Sequence, residues 1–382
     1  VSKANSTQVK ENHRMSPTTH PSFSFAQALV SWQLTHGRHD LPWQNTTDAY
    51  RIWLSEVMLQ QTQVVTVMDY YAKFLARFPD VESLARAEHD EVMSLWTGLG
   101  YYSRARNLHA CAKAVVADFG GEFPRTPEQL ITLKGIGAST AAAIAVFAYG
   151  YPAAILDGNV KRIIARVHGI RTAPSAATDK IMWQHANELL VSAKDAKKLK
   201  LTHAAALRAY TQGLMDLGAI LCARRTPHCD ACPMQTNCYA RIHHLTDDIP
   251  PAKVRKTSPE FEVNLYIYQQ AGRVWLEKRP SKGIWAGLYS FPEQPRLDVN
   301  ANTDANKDKK DKTNASRIRH VLTHRVLHLQ PRLFQLTASQ AHGLEDAENA
   351  EHGGWFDVND LKSVGLPKPI VGIIEQVLGT ID

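Results

Sequence analysis

The segment CARRTPHCDACPMQTNC, residues 222–238, carries Cys222, Cys229, Cys232 and Cys238 at the spacing C-x6-C-x2-C-x5-C, four of the chain's five cysteines. Thiols gathered this densely can enclose a metal centre, and as reduced ligands they fit a reducing compartment. Burial of cysteine as a small apolar residue does not account for the pattern, because the rest of the 382 residues holds only Cys111. Zinc knots usually pair one C-x2-C with another, each pair forming a knuckle. Here only Cys229 and Cys232 form such a pair, and longer arms flank it, which suits a four-iron four-sulfur (4Fe-4S) cluster better than a single zinc ion. Cys111 lies in LHACAKAVV, a helical pattern, and is expected in a core.

Outward from the knot, the pattern from Phe23 to about Arg241 is helical. Amphipathic stretches fall at 24–36, 48–77, 81–86, 89–96, 104–119, 127–132, 138–149, 158–168, 179–193 and 203–217, separated by Pro and Gly. DDIPPAKVRKT, 247–257, is proline-rich and basic, the composition of a linker, and the linker is set at 246–260. Beyond it FEVNLYIYQ, GRVWLEKRP, LYSFP, IRHVLTHRVLHLQPRLFQL and GGWFDV alternate or are β-branched and read as strands, so residues 261–382 form an α+β domain. Within that domain VNANTDANKDKKDKTN, 299–314, cannot pack a core and reads as a solvated loop. Residues 1–22 read as a polar, disordered leader. The helical part divides into a lobe of 23–47 with 157–245, which holds the cysteines, and a second lobe of 48–156.

Lys and Arg number 44 against 37 Asp and Glu, a net charge of +7 that permits an anionic partner without requiring one. No run of eighteen apolar residues occurs, so no membrane association is expected. No apolar signal region follows the start, so secretion is unsupported.

LKGIGAST, 133–140, opens the Ala-rich helical stretch 138–149. Gly135 and Gly137 in G-x-G let the backbone turn with amides facing outward at a helix start, which is phosphate-binding geometry. Stretch 127–132 supplies the first arm of a helix-hairpin-helix, with Lys134 as a basic neighbour and Ser139 as an N-cap candidate. An ordinary interhelical turn has the same local signature.

Asp157 in ILDGNVKRIIARVHG, 155–169, precedes an amphipathic helix and reads first as its N-cap. A cap can also be catalytic, since amides and the helix dipole hold a carboxylate ionised and aimed. Upstream, RIWLSEVMLQQTQVVTVMDYYAKF, 51–74, reads as one helix with Trp53, Val57, Val64, Val67, Met68 and Tyr71 at helical spacing. Glu56 sits among apolar neighbours; it is either a solvent-facing glutamate or a partly desolvated carboxyl able to donate a proton near neutral pH. The polar run Gln60, Gln61, Thr62 and Gln63 suits hydrogen bonding to base edges. GLGYYSRARN, 98–107, sets Tyr101 and Tyr102 on a glycine-bounded turn backed by Arg104 and Arg106, fitting either a wedge between bases with cations on phosphates or tyrosines packed between helices.

Taken together, LPWQ (41–44), WLSEVMLQQTQV (53–64), WTGLGYYSRARNL (96–108), LKGIGASTAAAI (133–144), LDGNVKR (156–162), QGLMDLGA (212–219) and the cysteine segment resemble the MutY adenine DNA glycosylases of the helix-hairpin-helix superfamily. SKGIWAGLYSFP (281–292) and LTHRVLHL (322–329) resemble that family's C-terminal Nudix-like domain, without a catalytic REx2EE box, so this domain is expected to recognise rather than hydrolyse. The resemblance implies a multidomain protein: an all-α helix-hairpin-helix glycosylase with a cluster lobe, followed by an α+β Nudix-like domain.

It further implies base excision repair of adenine opposite 8-oxoguanine, and opposite G, in double-stranded DNA. Glu56 would protonate the flipped adenine and Asp157 would stabilise the sugar cation or trap it covalently. Asn159 would orient Asp157, Gln212 would read the base edge, Tyr101 would be the wedge, and Gln61 and Thr62 would contact the surroundings of the mispair. Thr323 and His324 would read 8-oxoguanine; Thr323 stands where bacterial members commonly have serine, and Lys134 where the hairpin commonly has proline. Endonuclease III-like relatives carry a Schiff-base lysine at the position of Ser139, and a hydroxyl cannot form an imine, so a monofunctional enzyme is expected rather than a lyase. A non-catalytic iron–sulfur DNA-binding protein is the reading from a different class. The protein is expected to act as a monomer, cytoplasmic, DNA-associated and of bacterial type.

Overall fold

Ser24 accepts a hydrogen bond from the Gln27 amide and opens helix α1, Phe25–His36, which turns Phe25, Leu29 and Val30 inward. The structure is a computed structural model and describes residues 23–252, 257–297, 317–345 and 353–378. The expected leader at 1–22, the loop at 299–314 and residues 253–256 of the linker lie outside the described residues. Two compact units emerge, one from Val1–Asn45 with Ala142–Lys253 and the other from Thr46–Ala141 with Val254–Asp382. Along the helical part these units divide at Asn45/Thr46, beside the expected 47/48, and again at Ala141/Ala142 inside the helix Ala138–Tyr149, rather than at the expected 156/157. The second unit takes in the β-rich domain together with the helices of Thr46–Ala141.

In the second unit the single helix expected at 48–77 is two, α2 (Ala49–Leu59) and α3 (Val64–Arg77), because the chain breaks at Gln60–Gln63, with Gln61 at φ 57°. Asp48 caps α2 by accepting from the Tyr50 and Arg51 amides. At its other end the carbonyls of Val57, Met58 and Gln60 are taken by the Arg104 guanidinium. Met68, assigned to the apolar face, is exposed on α3. Helices α4 (Val81–Arg86), α5 (His89–Leu95), α6 (Ser103–Phe119) and α7 (Pro127–Leu130) follow. Trp53 and Trp96 are fully buried, Trp53 packing on Phe123 at 5.1 Å and Trp96 meeting Phe74 edge-on at 5.6 Å. Cys111 is fully buried in α6, as its pattern predicts, and burial pushes its thiol up to about 12.

In the first unit, α9 (Gly158–His168), α10 (Ala176–Glu188), α11 (Ala193–Lys198) and α12 (His203–Asp216) pack with α1 and with α8 (Ala138–Tyr149) from Ala142 onward. The stretch expected as 179–193 starts earlier because Ser175 caps α10, and a separate α11 begins at the Ser192–Asp195 capping box. The core is built on Leu29, Val146, Ile163, Ile164, Leu207 and Leu214, each contributing roughly 2 kcal/mol of transfer free energy when fully buried. Helix α12 passes directly into a π-helical turn, Leu217–Leu221, which ends at Cys222. A short α13, Tyr239–Ile242, follows Cys238.

The β-rich part of the second unit contains β1 (Glu260–Gln270), β2 (Arg273–Lys278), β3 (Tyr289–Ser290), β4 (Ile318–Val321), β5 (Val326–Gln335) and β6 (Gly353–Asp357). All five strand-rich segments of the sequence supply strands. Strand order is β3-β2-β1-β5-β4, with β6 also on β2. β1 runs parallel to β5 from Glu260↔Val326 to Gln269↔Gln335, and β4–β5 is an antiparallel hairpin. Helices α14 (Ala338–His342) and α15 (Lys368–Leu378) complete the α+β character. α15 places Ile370, Ile373 and Ile374, all fully buried, at helical spacing.

Candidate functional site

Asp157 is the N-cap of α9. One carboxylate oxygen accepts from the amides of Asn159 at 2.9 Å and Val160 at 2.8 Å, while the residue remains exposed. A helix N-terminus therefore fixes an anion that solvent or a ligand can reach. Asn159 touches Asp157 through its main chain; its side-chain carbonyl instead accepts from Arg162 Nη2 at 3.0 Å. Gly218 makes this possible, since a Cβ there would lie 2.7 Å from Asn159 Cβ.

The same helix anchors the cysteine segment. Arg162 donates to the carbonyls of Cys222 (2.7 Å) and Gly218 (2.8 Å). One turn on, buried Arg166 reaches Cys222 Sγ at 3.4 Å and the carbonyls of Ala223, Arg224, Thr246 and Ile249. Cys222, Cys229, Cys232 and Cys238 line one cavity together with Arg166 and Arg241. Burial pushes the Cys232 thiol up to about 12 and raises Cys229 and Cys238, so the pocket penalises unligated thiolates. Among the described residues no group of three or more His, Cys, Asp or Glu is arranged for a single metal ion. Four sulfur donors around one cavity, with guanidinium groups beside them, fit an anionic metal–sulfur group. Arg224 and Arg225 are exposed on the same segment.

Gln212 lies on α12 and donates from Nε2 to Asp216 Oδ1 at 2.9 Å. Asp216 is fully buried and also accepts from the Arg38 amide (3.0 Å) and Nε (2.7 Å). Because a carboxylate only accepts, the amide nitrogen of Gln212 must face it, which fixes the direction of the side-chain carbonyl.

In the second unit Glu56 is half-buried on α2, and its sequence neighbours Trp53, Leu54 and Val57 are buried. Gln60, Gln61 and Thr62 form the bend after α2, with Gln61 exposed and Gln60 donating to Thr140 Oγ1 at 3.5 Å. Tyr101 is 46% exposed at φ 50°, a backbone region disfavoured for a bulky residue. Arg104 ties the bend and this turn together: it donates to Gln60 O at 2.6 Å, Thr62 Oγ1 at 3.0 Å and Gly100 O at 3.3 Å, and lies 5.4 Å from the Tyr101 ring. Burial lowers its pKa to about 10, so it stays charged at neutral pH. Of the two readings of this turn, Arg104 follows the packed one: it is buried on carbonyls, while half-buried Arg106 donates to Ala286 O at 2.8 Å.

The hairpin exposes Lys134, Gly135 and Gly137. Gly135 sits at φ 85°, and a Cβ would lie 2.7 Å from Asn107 Cβ, so glycine is required twice over. Gly137 has neither restraint and opens onto free space. Ser139 lies in the first turn of α8. Thr323 and His324 are both exposed in the β4–β5 hairpin loop, closed by Leu322 N to Arg325 O at 2.9 Å.

The anchoring roles of buried Arg166, of Arg162 and of Arg104 on backbone carbonyls are not signalled in the sequence. The i, i+4 spacing of Arg162 and Arg166 on the Asp157 helix was visible, but nothing local distinguishes a buried arginine from a solvated one. Among the described residues no helix is long and apolar enough to cross a membrane.

Comparison with known proteins finds that residues 54–188 match the HhH-GPD superfamily base excision DNA repair proteins and residues 263–376 a NUDIX domain. The adenine DNA glycosylase of Buchnera aphidicola subsp. Baizongia pistaciae is 33% identical over 92% of this chain and 96% of its own. That of Homo sapiens is 39% identical over 70% of this chain and 57% of its own. Among solved structures, a thermostable thymine-DNA glycosylase is similar with a TM-score of 0.49 and 29% identity, over 57% of this chain and 95% of its own.

Proposed function

The chain belongs to the adenine DNA glycosylase (MutY) family, a DNA glycosylase of base excision repair with a helix-hairpin-helix fold and a Nudix-like domain, and we propose that its substrate is adenine opposite 8-oxoguanine. The observation that carries the mechanism is Asp157, an exposed carboxylate held by two helix amides. An adenine flipped from the duplex leaves poorly as an anion. Glu56, half-buried on α2, donates a proton to a purine ring nitrogen as the C1′–N9 bond breaks and its electron pair moves to the base. Positive charge builds on the sugar, and ionised Asp157 stabilises it or forms a transient ester. Water then adds at C1′, breaking the C1′–O bond to Asp157 where an ester has formed, and its proton passes to a carboxylate of the pair.

Gln212, aimed by Asp216, presents its carbonyl to the base edge. Tyr101 wedges into the stack, while Gln60, Gln61 and Thr62 contact the mispair. Lys134, Gly135, Gly137 and Ser139 meet backbone phosphate at the start of α8. Thr323 and His324 read 8-oxoguanine. Cys222, Cys229, Cys232 and Cys238 would hold a 4Fe-4S cluster, which supplies a rigid cross-link for this segment. Ser139 in place of a lysine favours a monofunctional glycosylase.

Single-turnover assays on duplexes with A opposite 8-oxoguanine test this reading. Wild type should release adenine and leave the strand intact until alkali is added. Equal release by Glu56→Gln and Asp157→Asn would remove the catalytic assignment, and scission without alkali would favour a lyase.

A further inference from the structure

Immediately after the exposed Tyr101 comes Tyr102, 9% exposed, whose hydroxyl is fully engaged. It donates to Leu366 O at 2.8 Å and accepts from Gly98 N at 3.3 Å. Leu366 answers with its own amide, which donates to Thr97 Oγ1 at 3.3 Å. A reciprocal pair of hydrogen bonds therefore joins one residue of the β-rich domain to the turn that presents Tyr101.

The neighbourhood is built for this closeness. A Cβ on Gly365 would lie 2.8 Å from Met93 Cβ and 2.9 Å from Leu288 Cδ2, so only glycine lets the 364–366 segment settle onto α5. Gly365 O in turn accepts from Tyr289 N at 2.9 Å, which ties that segment to β3. Arg106 to Ala286 O and the Lys278–Asp90 ion pair at 2.6 Å flank the contact.

Tyr101 gains from such an anchor because its left-handed backbone is unfavourable and has to be held by its surroundings. Arg104 holds the turn toward the Gln60–Thr62 bend, and the Tyr102–Leu366 clip holds it toward the β-rich domain.

We propose that Tyr102 is a positioning residue for mispair discrimination: through Leu366 it couples the domain bearing Thr323 and His324 to the seating of the Tyr101 wedge. The inference rests on the reading of that domain as the 8-oxoguanine reader. When the oxidised base is gripped, the domain and the wedge turn act as one piece. Opposite an unmodified guanine the grip is absent and the clip matters less.

The test compares single-turnover adenine release from A·8-oxoguanine and A·G duplexes, together with thermal midpoints, for full-length wild type, Tyr102→Phe, Thr97→Val and His324→Ala. Loss of one buried hydroxyl is expected to slow release from A·8-oxoguanine about five- to tenfold in Tyr102→Phe. The A·G rate should stay within about twofold, with a near-wild-type midpoint, and Thr97→Val should shift the same ratio in the same direction. If Tyr102→Phe and Thr97→Val keep the wild-type ratio while His324→Ala loses it, the coupling is wrong and the reader assignment stands. If both rates fall in parallel with the midpoint, Tyr102 is merely structural and the inference is overturned. Wild type with no preference between the duplexes overturns both.

Discussion

The Arg104 guanidinium lies 5.4 Å from the centroid of the Tyr101 ring while its Nη2 donates to Thr62 Oγ1 at 3.0 Å, so one buried cation supports both turns assigned to the mispair. Arg104→Met removes every one of these donors and leaves the carbonyls of Val57, Met58 and Gln60 without their partner. We expect a loss of roughly 2–4 kcal/mol in unfolding free energy. Adenine release should slow on the order of 100-fold, because both turns lose their shared support. Arg104→Lys keeps the charge but not the planar fork, and should fall between the two. Denaturant titration and single-turnover rates check this; a methionine variant that releases adenine at the wild-type rate refutes the coupling.

Asp157 separates stability from chemistry. Asparagine caps a helix about as well as aspartate, so Asp157→Asn should keep the fold, with a thermal midpoint within about 3 °C of wild type. Its neutral amide cannot stabilise a sugar cation, and release should fall on the order of 1000-fold. Asp157→Ala removes both functions and should also cost about 1 kcal/mol. A large midpoint drop in the asparagine variant would mean that the charge mainly serves the fold.

Much of this was readable in advance, for physical reasons that particular residues illustrate. Asp157 and Gly135 declare themselves locally, one by preceding an amphipathic run, the other by a turn that only glycine adopts. The apolar alternation of 260–270 gave β1, and i, i+3, i+4 spacing gave α9. The break between α2 and α3 was missed because it depends on Arg104, far along the chain, taking carbonyls that would otherwise continue a helix. Arg162 and Arg166 were missed for the same reason: their partners, Cys222 and Ile249, are distant in sequence. The α15 face of Ile370, Ile373 and Ile374 was overlooked beside stronger strand signals.

The cysteine segment makes a separate prediction. Cys232→Ser should lose iron and the visible absorption of an iron–sulfur centre, whereas Cys111→Ser, deep in α6, should keep both. Arg166→Met should lower iron retention without removing a sulfur ligand, since Arg166 ties α9 to Cys222 Sγ and to the carbonyls of Ala223 and Arg224 in the segment and of Thr246 and Ile249 after it. Iron analysis of the purified variants decides it; stoichiometric zinc without iron in the wild type would replace the cluster assignment.

A last prediction concerns acid stability. His109 is buried on α6 and stacks on His89 at 5.9 Å, and among the described residues its Nε2 has no hydrogen-bond partner. Burial lowers its pKa to about 4, with Lys113 and His89 adding repulsion to the charged form. An unfolded chain has this histidine near its ordinary value of about 6.5, so between those values the unfolded state binds more protons. Stability from this group is therefore fully present above about pH 6.5 and drains away as pH falls toward about 4. His168, lowered to about 4 chiefly by burial, has the same sign. Wild type should lose stability between pH 7 and pH 5, and His109→Gln should show a shallower loss across the same interval. Urea midpoints for the two proteins at both pH values measure it, and parallel pH slopes would show that His109 is not a source of the acid sensitivity.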